Sequence, residues 1–388
     1  MKNNIFSIKL KMAICLVVLS ASFWGCGVNE TRADMKNSVD TEEEIVIPIL
    51  LRSEPDGINS TYSDLITEFN EKYEGNYKVD VTLISETEEG YRTRLQELNA
   101  IDDLPVIITD AAFGSNFLAL MEENDRYYDL YPLNDGMYSS AGMFYNADIF
   151  EKCGIDSYPN TWDEFIEDCE IIKSKGYTPI SLHGGGDYWS ALLIGTAYMC
   201  SEDFGMEFLN ETLPKSYDNE SFRKMLSFVN TIYDYTFSDA LSISHDESLS
   251  RFISGEAAMI PGGYWMVPQI EGASFEQGFS TFSGGIMLVD KRMSAWGIVN
   301  QYDEKVLEGA KLFMDYRSTK TSLQEKSHSD IGMQYIAAYE CHAKEYPNYQ
   351  LQWQDKVIKE DFDVLFPKLI KNDITVDEFI DELSIANN

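Results

Sequence analysis

From residue 45 onward the apolar residues follow two alternating periods. IVIPILL at 45–51 is a continuous apolar run of strand length, after which Tyr62, Leu65, Ile66, Phe69 and Tyr73 recur at helical spacing. KVDVTLI at 78–84 predicts a second strand, Tyr91, Leu95 and Leu98 mark one face of a second helix, and LPVIITD at 104–110 predicts a third strand. The order β-α-β-α-β predicts a parallel sheet covered by helices and places the chain in the α/β class.

The alternation continues with helices expected near 116–124 and 147–153 and another opened by Thr161. Thr161 and Glu164 have the spacing of a capping box, with Trp162 as a structural aromatic packed beneath the helix start. PISL at 179–182 reads as a strand running into Gly184, Gly185 and Gly186, followed by Asp187, Tyr188, Trp189 and a helical stretch. AAMIPGG at 257–263 is a strand ending in two glycines ahead of Tyr264 and Trp265. GGIMLV at 284–289 and AWGIV at 295–299 are late β segments, and helices follow over 303–316, 331–345 and 354–370. Thr375 and Glu378 open a last helix with a second capping box. There is no internal repeat and no low-complexity tract. So many α/β units exceed one sheet, and two lobes are the expected division.

Charge narrows the function. Against 30 Lys and Arg stand 65 Asp and Glu, a formal charge of −35 on 388 residues. Such a chain repels nucleic acid, phosphorylated substrates and anionic lipid heads. The acids are spread without long blocks, so they read as a hydrated surface and carry no catalytic weight.

The first residues add a location. Lys2, Lys9 and Lys11, without an acid, precede an apolar run from Met12 to Trp24 and then Gly25 and Cys26. The run is shorter than the ~20 residues that span a bilayer and has the layout of an export signal over 1–25. Phe23-Trp24-Gly25-Cys26 resembles a bacterial lipobox, although Leu is usual where Phe23 stands and a small residue where Trp24 stands. The resemblance implies that Cys26 is lipidated and becomes the first mature residue, the alternative being ordinary cleavage and release. Loss of the leader takes the formal charge to −38, because the leader carries only those three lysines. Residues 26–44 lack apolar periodicity and read as a flexible tether.

Four cysteines remain beyond the signal, Cys153, Cys169, Cys200 and Cys341, with no CxxC among them. An exported compartment permits disulfides, but a large core does not need them, and free or buried thiols are the expectation. The histidines are His183, His245, His328 and His342, with no HExxH or paired spacing, so no metal site and no cofactor is expected. Enzyme signatures are missing as well: no GxSxG elbow, no GxxxxGK[ST] loop and no GxGxxG after a strand. Ser221 to Lys224 fits SxxK in isolation and reads as a helix surface.

Four stretches, in order, carry a family resemblance. They are FNEKYEGNYKVDVTLI (69–84) with DLPVIITD (103–110), then GMFYNADIFEKCGIDSYPNTWDEFIEDCEIIKSKGYTPISL (142–182), FISGEAAMIPGGYW (252–265), and DEKVLEGAKLFMDY (303–316) with NDITVDEFIDEL (372–383). Together they resemble the extracellular solute-binding proteins of carbohydrate ABC importers, the family that includes maltose-binding protein. The resemblance implies a two-lobed, periplasmic-binding-protein-like fold of type II, each lobe a mostly parallel sheet covered by helices, with ligand in a cleft between lobes. On that reading 45–110 with 279–328 form the first lobe and 111–278 with 329–388 the second. One departure stands out. Between DLYPL (129–133) and GMFYN (142–146) the family carries a longer insert, and Met137 stands where its proline would be, which shortens one cleft wall.

A sugar site needs flat rings for C–H faces and polar groups at the rim. Residues just after strands are the place to look, because ligands of open α/β sheets sit beyond the carboxyl ends of strands. Tyr188 and Trp189 follow one strand and Tyr264 and Trp265 another. The resemblance favours Trp189 and Trp265 as ligand contacts and puts Trp296 beside the cleft, each against the alternative of core packing. Asp110, His183, Asp187 and the residues after the first strand, Arg52, Ser53, Glu54 and Asp56, are polar rim candidates. The expectation is a monomeric, non-enzymatic receptor, lipid-anchored on the outer face of the cytoplasmic membrane, that delivers a sugar to an ABC permease. A binder of another neutral solute, or a surface scaffold or sensor partner, is the alternative.

Overall fold

The computed structural model describes residues 44–388 apart from 53–59, 85–87, 110–119, 122–123, 132–135, 203–204, 212–213, 215, 290–295, 322–327, 343–345, 347–355 and 387–388. In chain order the described strands are β1 (Ile45–Arg52), β2 (Tyr77–Ile84), β3 (Ile107–Ile108), β4 (Tyr127–Tyr131), β5 (Ser140–Asn146), β6 (Thr178–Ile180), β7 (Ala257–Gly263), β8 (Gln277–Ser280), β9 (Leu288–Val289) and β10 (Trp296–Val299). They build one sheet in the order β2-β1-β3-β10-β4 and a second in the order β6-β7-β5-β8, with β9 also pairing β5. Each sheet is covered by helices and has its own apolar core, so the chain is a two-lobed α/β protein.

In the first lobe β1 packs against helices on both faces, with Val46 near its start 47% exposed. Ile47, Ile49 and Leu51 meet Phe69 of the Ser60–Lys72 helix and Phe313 of the Glu304–Thr321 helix, while Leu50 faces Tyr91 and Leu95 of the Glu88–Ala100 helix. A strand with two covered faces reads as an unbroken apolar run, which explains IVIPILL. The buried Tyr91 hydroxyl donates to the Leu50 carbonyl at 2.8 Å and lies 2.8 Å from Thr109 Oγ1, tying the helix to β1 and to the end of β3. At the sheet edge the Asn70 side chain takes the place of a neighbouring strand. Its Nδ2 donates to the Val79 carbonyl at 3.0 Å and its Oδ1 accepts from the Val79 N–H at 2.8 Å.

The sheets are less parallel than the sequence pattern implies. β1 pairs β2 and β3 in parallel and β6 pairs β7 in parallel, but β10 is antiparallel to β3 and β4, and β5 is antiparallel to β7, β8 and β9. The antiparallel pairings involve β4, β5, β9 and β10, the strands on either side of the two passages between sheets. Each passage spans fewer residues than the dozen or more of the crossover that parallel pairing requires. Those passages also shift the division of the chain. β4 belongs to the first sheet and β8 and β9 to the second, so sheet membership changes after Tyr131 and after Val289 rather than at 110 and 278.

The second core is built around the Trp189–Cys200 helix, which is buried nearly all round. Gly195 lets it approach the Glu220–Ile232 helix, since a Cβ there would lie 2.8 Å from Met225 Sδ. Both capping boxes form: Thr161 Oγ1 accepts from Glu164 N at 3.2 Å, and Thr375 Oγ1 accepts from Glu378 N at 3.2 Å. Trp162 packs on Phe165, Tyr198 and Phe228 and donates from Nε1 to Ser201 Oγ, the structural role expected of it. Cys153, Cys169, Cys200 and Cys341 are free thiols, the first two buried. The helix expected near 116–124 falls mostly outside the described residues, of which only Leu120 and Met121 are helical there.

Asp168, on the Trp162–Ser174 helix, is an acid whose placement costs stability. Burial, helped by the neighbouring carboxylates of Glu164 and Glu167, pushes it up to about 6. The folded state therefore holds this proton more tightly than the unfolded chain, and the penalty of ionising it is complete above pH ~6 and gone below ~4. Asp168→Asn should stabilise the protein by about 1 kcal/mol at neutral pH, after allowing for partial exposure, and by nothing near pH ~4. Urea midpoints of both proteins across that range check it.

Candidate ligand-binding site

The parallel pair β6 and β7 brings two distant segments to one place. Thr178 pairs with Ala257 and Ile180 with Met259, and the Ser181 N–H continues the ladder to the Met259 carbonyl at 2.8 Å. Both strands therefore finish at the same end of the sheet. Beyond β6 the chain passes His183 and three glycines into the Trp189–Cys200 helix; beyond β7 it turns at once into a 3₁₀ turn, Tyr264–Met266. The rings of Trp189 and Trp265 meet there edge to face, with centroids 6.1 Å apart.

Glycines clear the space on both sides. A Cβ on Gly263 would sit 1.9 Å from Trp265 Cζ3 and 2.4 Å from the Ser140 carbonyl, so the indole folds back over backbone that carries no side chain. A Cβ on Gly185 would sit 2.7 Å from the Ser242 carbonyl, and the Gly185 N–H instead donates to the Ile243 carbonyl at 2.9 Å. The three-glycine run thus packs on residues 241–243, a structural reason for its composition.

Phase along the chain separates the four aromatic candidates. Trp265 is 39% exposed and Trp189 half-buried, whereas Tyr188 and Tyr264 are each 6% exposed. Tyr188 lies 4.5 Å from Phe366 and Tyr264 5.3 Å from Tyr335, so both rings are core and present no open face. Trp296 is core as well. On β10 it is 2% exposed, with Tyr62 at 5.1 Å and the Arg317 guanidinium 4.1 Å over its ring. Glu54 and Asp110, with Ser53 and Asp56, lie outside the described residues; Arg52 is the last residue of β1.

His183 and Asp187 do join the tryptophans. His183 is 1% exposed, its Nε2 is 2.8 Å from Asp187 Oδ1, and its ring is 4.9 Å from Trp189. Burial pushes the Asp187 carboxyl up, but the His183 imidazole and the Trp189 backbone N–H outweigh it and hold the group below its ordinary value. Asp187 is therefore a carboxylate at neutral pH, with its side chain 45% exposed at the edge of the tryptophan pair. The residue that sequence reasoning missed is His245. It opens the His245–Ile253 helix and packs 4.7 Å from Trp189 and 5.3 Å from His183. No local signal distinguishes HDESL from any other capped helix start. Among the described residues no three His, Cys, Asp or Glu groups are arranged to hold a metal. A groove of about 590 Å³ lies elsewhere, on the first lobe, lined by Leu50, Thr82, Ile84, Arg94, Leu98 and Tyr302 among others.

Two sheets, each with its own core, give the chain a two-lobed α/β architecture. The chain belongs to the bacterial extracellular solute-binding protein family, whose profile matches residues 55–321. It is 23% identical over 325 residues, 75% of each chain, to the multiple sugar-binding protein of Streptococcus mutans. Among solved structures, a Streptococcus pneumoniae solute-binding protein in complex with the blood group A-trisaccharide superposes with a TM-score of 0.69 at 16% identity, covering 88% of this chain and 99% of that one. A chitin oligosaccharide binding protein superposes with a TM-score of 0.67 at 17% identity, covering 89% and 98%. No described helix is long and apolar enough to cross a membrane.

The clearance at Gly263 is testable without a ligand. Gly263→Ala should displace the Trp265 ring, shift tryptophan emission and cost about 1–3 kcal/mol of stability as an overpacking change. Gly272→Ala, whose Cβ would meet only the Gln269 carbonyl at 3.5 Å, should leave the emission unchanged.

Proposed function

We propose that this protein captures a sugar or oligosaccharide between its two lobes, outside the cell, and hands it to the permease of an ABC importer. The observation that carries this reading is the tryptophan pair. Trp189 and Trp265 offer two rings at a sheet end where glycines keep other side chains away, with the Asp187 carboxylate beside them. Ring faces favour the C–H patches of a pyranose, and a carboxylate accepts hydroxyl hydrogens, a combination that suits a neutral polyhydroxyl ligand and offers nothing to an anion. The names of the similar proteins, which specify sugars, support the same class. Glu54 and Asp110, following β1 and β3, are the groups we assign to the first lobe's side of the ligand. Closure of the lobes by a hinge motion would signal the loaded state to the permease. No catalytic step is assigned to any residue.

The anchor is the second part of the proposal. A diacylglyceryl group on Cys26 would hold the mature chain at the outer face of the cytoplasmic membrane through residues 27–44. Membrane fractions should retain the wild-type protein and lose Cys26→Ser; equal retention of both refutes the anchor.

Ligand contact and core packing predict opposite results at the tryptophans. Truncating an interface aromatic commonly costs ~2 kcal/mol, about 30-fold in affinity. With the best glycan from a thermal-shift panel, calorimetry should show that loss for both Trp189→Ala and Trp265→Ala. Chemical denaturation should find the Trp265→Ala midpoint unchanged and a modest drop for the half-buried Trp189. Normal binding by both variants would remove the site from this face.

A further inference from the structure

Trp189, the inner ring of the tryptophan pair, rests on two imidazoles whose nitrogens are not all satisfied. His245 is fixed by a helix start, where Ser244 caps the helix by accepting from Glu247 N at 3.2 Å. Its ring stacks at a tilt on Trp189, and His183 packs against both. His183 Nδ1 and His245 Nε2 are both buried without a hydrogen-bond partner. A neutral imidazole tolerates one such position, because the bare nitrogen is only a lone pair. An imidazolium does not, because both nitrogens then carry hydrogens, and a buried N–H without an acceptor costs the desolvation of that group.

We propose that His245 is a positioning residue for the aromatic face: as a neutral imidazole it backs the Trp189 ring, and on taking a proton it leaves its seat and frees that ring. The face is then assembled at neutral pH and loosened in acid. The surrounding charges agree with this direction. Burial, with the adjacent His183, holds the His245 imidazole below its ordinary value against the opposing pull of Asp246, 3.5 Å from Nδ1, and of Asp187. Lys359 of the neighbouring Lys356–Ile370 helix lowers Asp187 and is itself paired with Asp363 Oδ2 at 2.9 Å. Since the imidazole takes a proton more readily when it is free in water, the seated arrangement is at full strength above pH ~6.5 and weakens as the pH falls below it. The segments move together, because the Gly184 and Gly185 N–H groups both donate to the Ile243 carbonyl two residues before His245.

The consequence for ligand release rests on reading Trp189 and Trp265 as the ligand face; the response of the ring to pH does not. The test therefore uses no ligand. Tryptophan emission and acrylamide quenching of the full mature chain are followed from about pH 7.5 to about pH 5, the window in which an imidazole titrates, with far-UV circular dichroism alongside. Wild type should show a reversible rise in quenching with a midpoint below ~6.5 and unchanged dichroism, and the step should vanish in both Trp189→Phe and His245→Gln. His245→Asn replaces the glutamine variant if that one loses its dichroism. A wild type without the step, a step that persists in Trp189→Phe, or a step of unchanged midpoint in the His245 variant overturns the proposal. Failure of every glycan to bind at about pH 7.5 would refute the sugar-receptor reading and leave this transition to be judged by itself.

Discussion

The parallel alignment of β6 with β7 is the constraint on which the candidate site depends. Strands that run parallel end on the same side of a sheet, so the segments that leave them are forced together, although Thr178 and its partner Ala257 lie far apart in the chain. Pairing them antiparallel would send Trp189 and Trp265 to opposite ends. The remaining details serve that meeting. Gly263 gives the Trp265 indole a bare backbone to lie on, and Gly185 lets the loop before Trp189 rest against residues 241–243.

Local features were legible in the sequence because their causes are local. Thr161 with Glu164, and Thr375 with Glu378, need only three residues of spacing to form a box, and both boxes are present. IVIPILL announces a strand covered on both faces. Sheet membership was not legible in the same way. YYDLY at β4 and QGFS at β8 are short and carry no period that assigns them to a sheet, and the passages between sheets decide it. Directionality failed for the same reason, since β5, the centre of the second sheet, has only antiparallel partners.

The meeting of the two segments that form the candidate site was legible as a neighbourhood and not as a set of side chains. Reading strand ends pointed to the two segments whose tryptophans meet, but it could not separate Trp189 from Tyr188, which differ by one step around a helix start. That step turns Tyr188 to Phe366 and the core and leaves Trp189 against His245 and Trp265. His245 escaped because it reaches the site from a third segment, and only the packing of 241–243 on the glycines brings it in. Trp296 shows the converse: a tryptophan in a promising stretch whose ring is claimed by Tyr62, Phe313 and the Arg317 guanidinium.

The Asn70 amide at the edge of the first sheet has a consequence beyond its own lobe. β2 is eight residues long and ends the sheet, and an outer strand of that length invites pairing with an extended segment of another molecule. Asn70 occupies the outward N–H and carbonyl of Val79, near the middle of the stretch, with the same pair of bonds that a docking backbone would make. An incoming strand must first evict it and then find that amide new partners. At Val79, pairing with a second molecule therefore means breaking two bonds already made within the lobe, which caps this point of the edge from inside the chain.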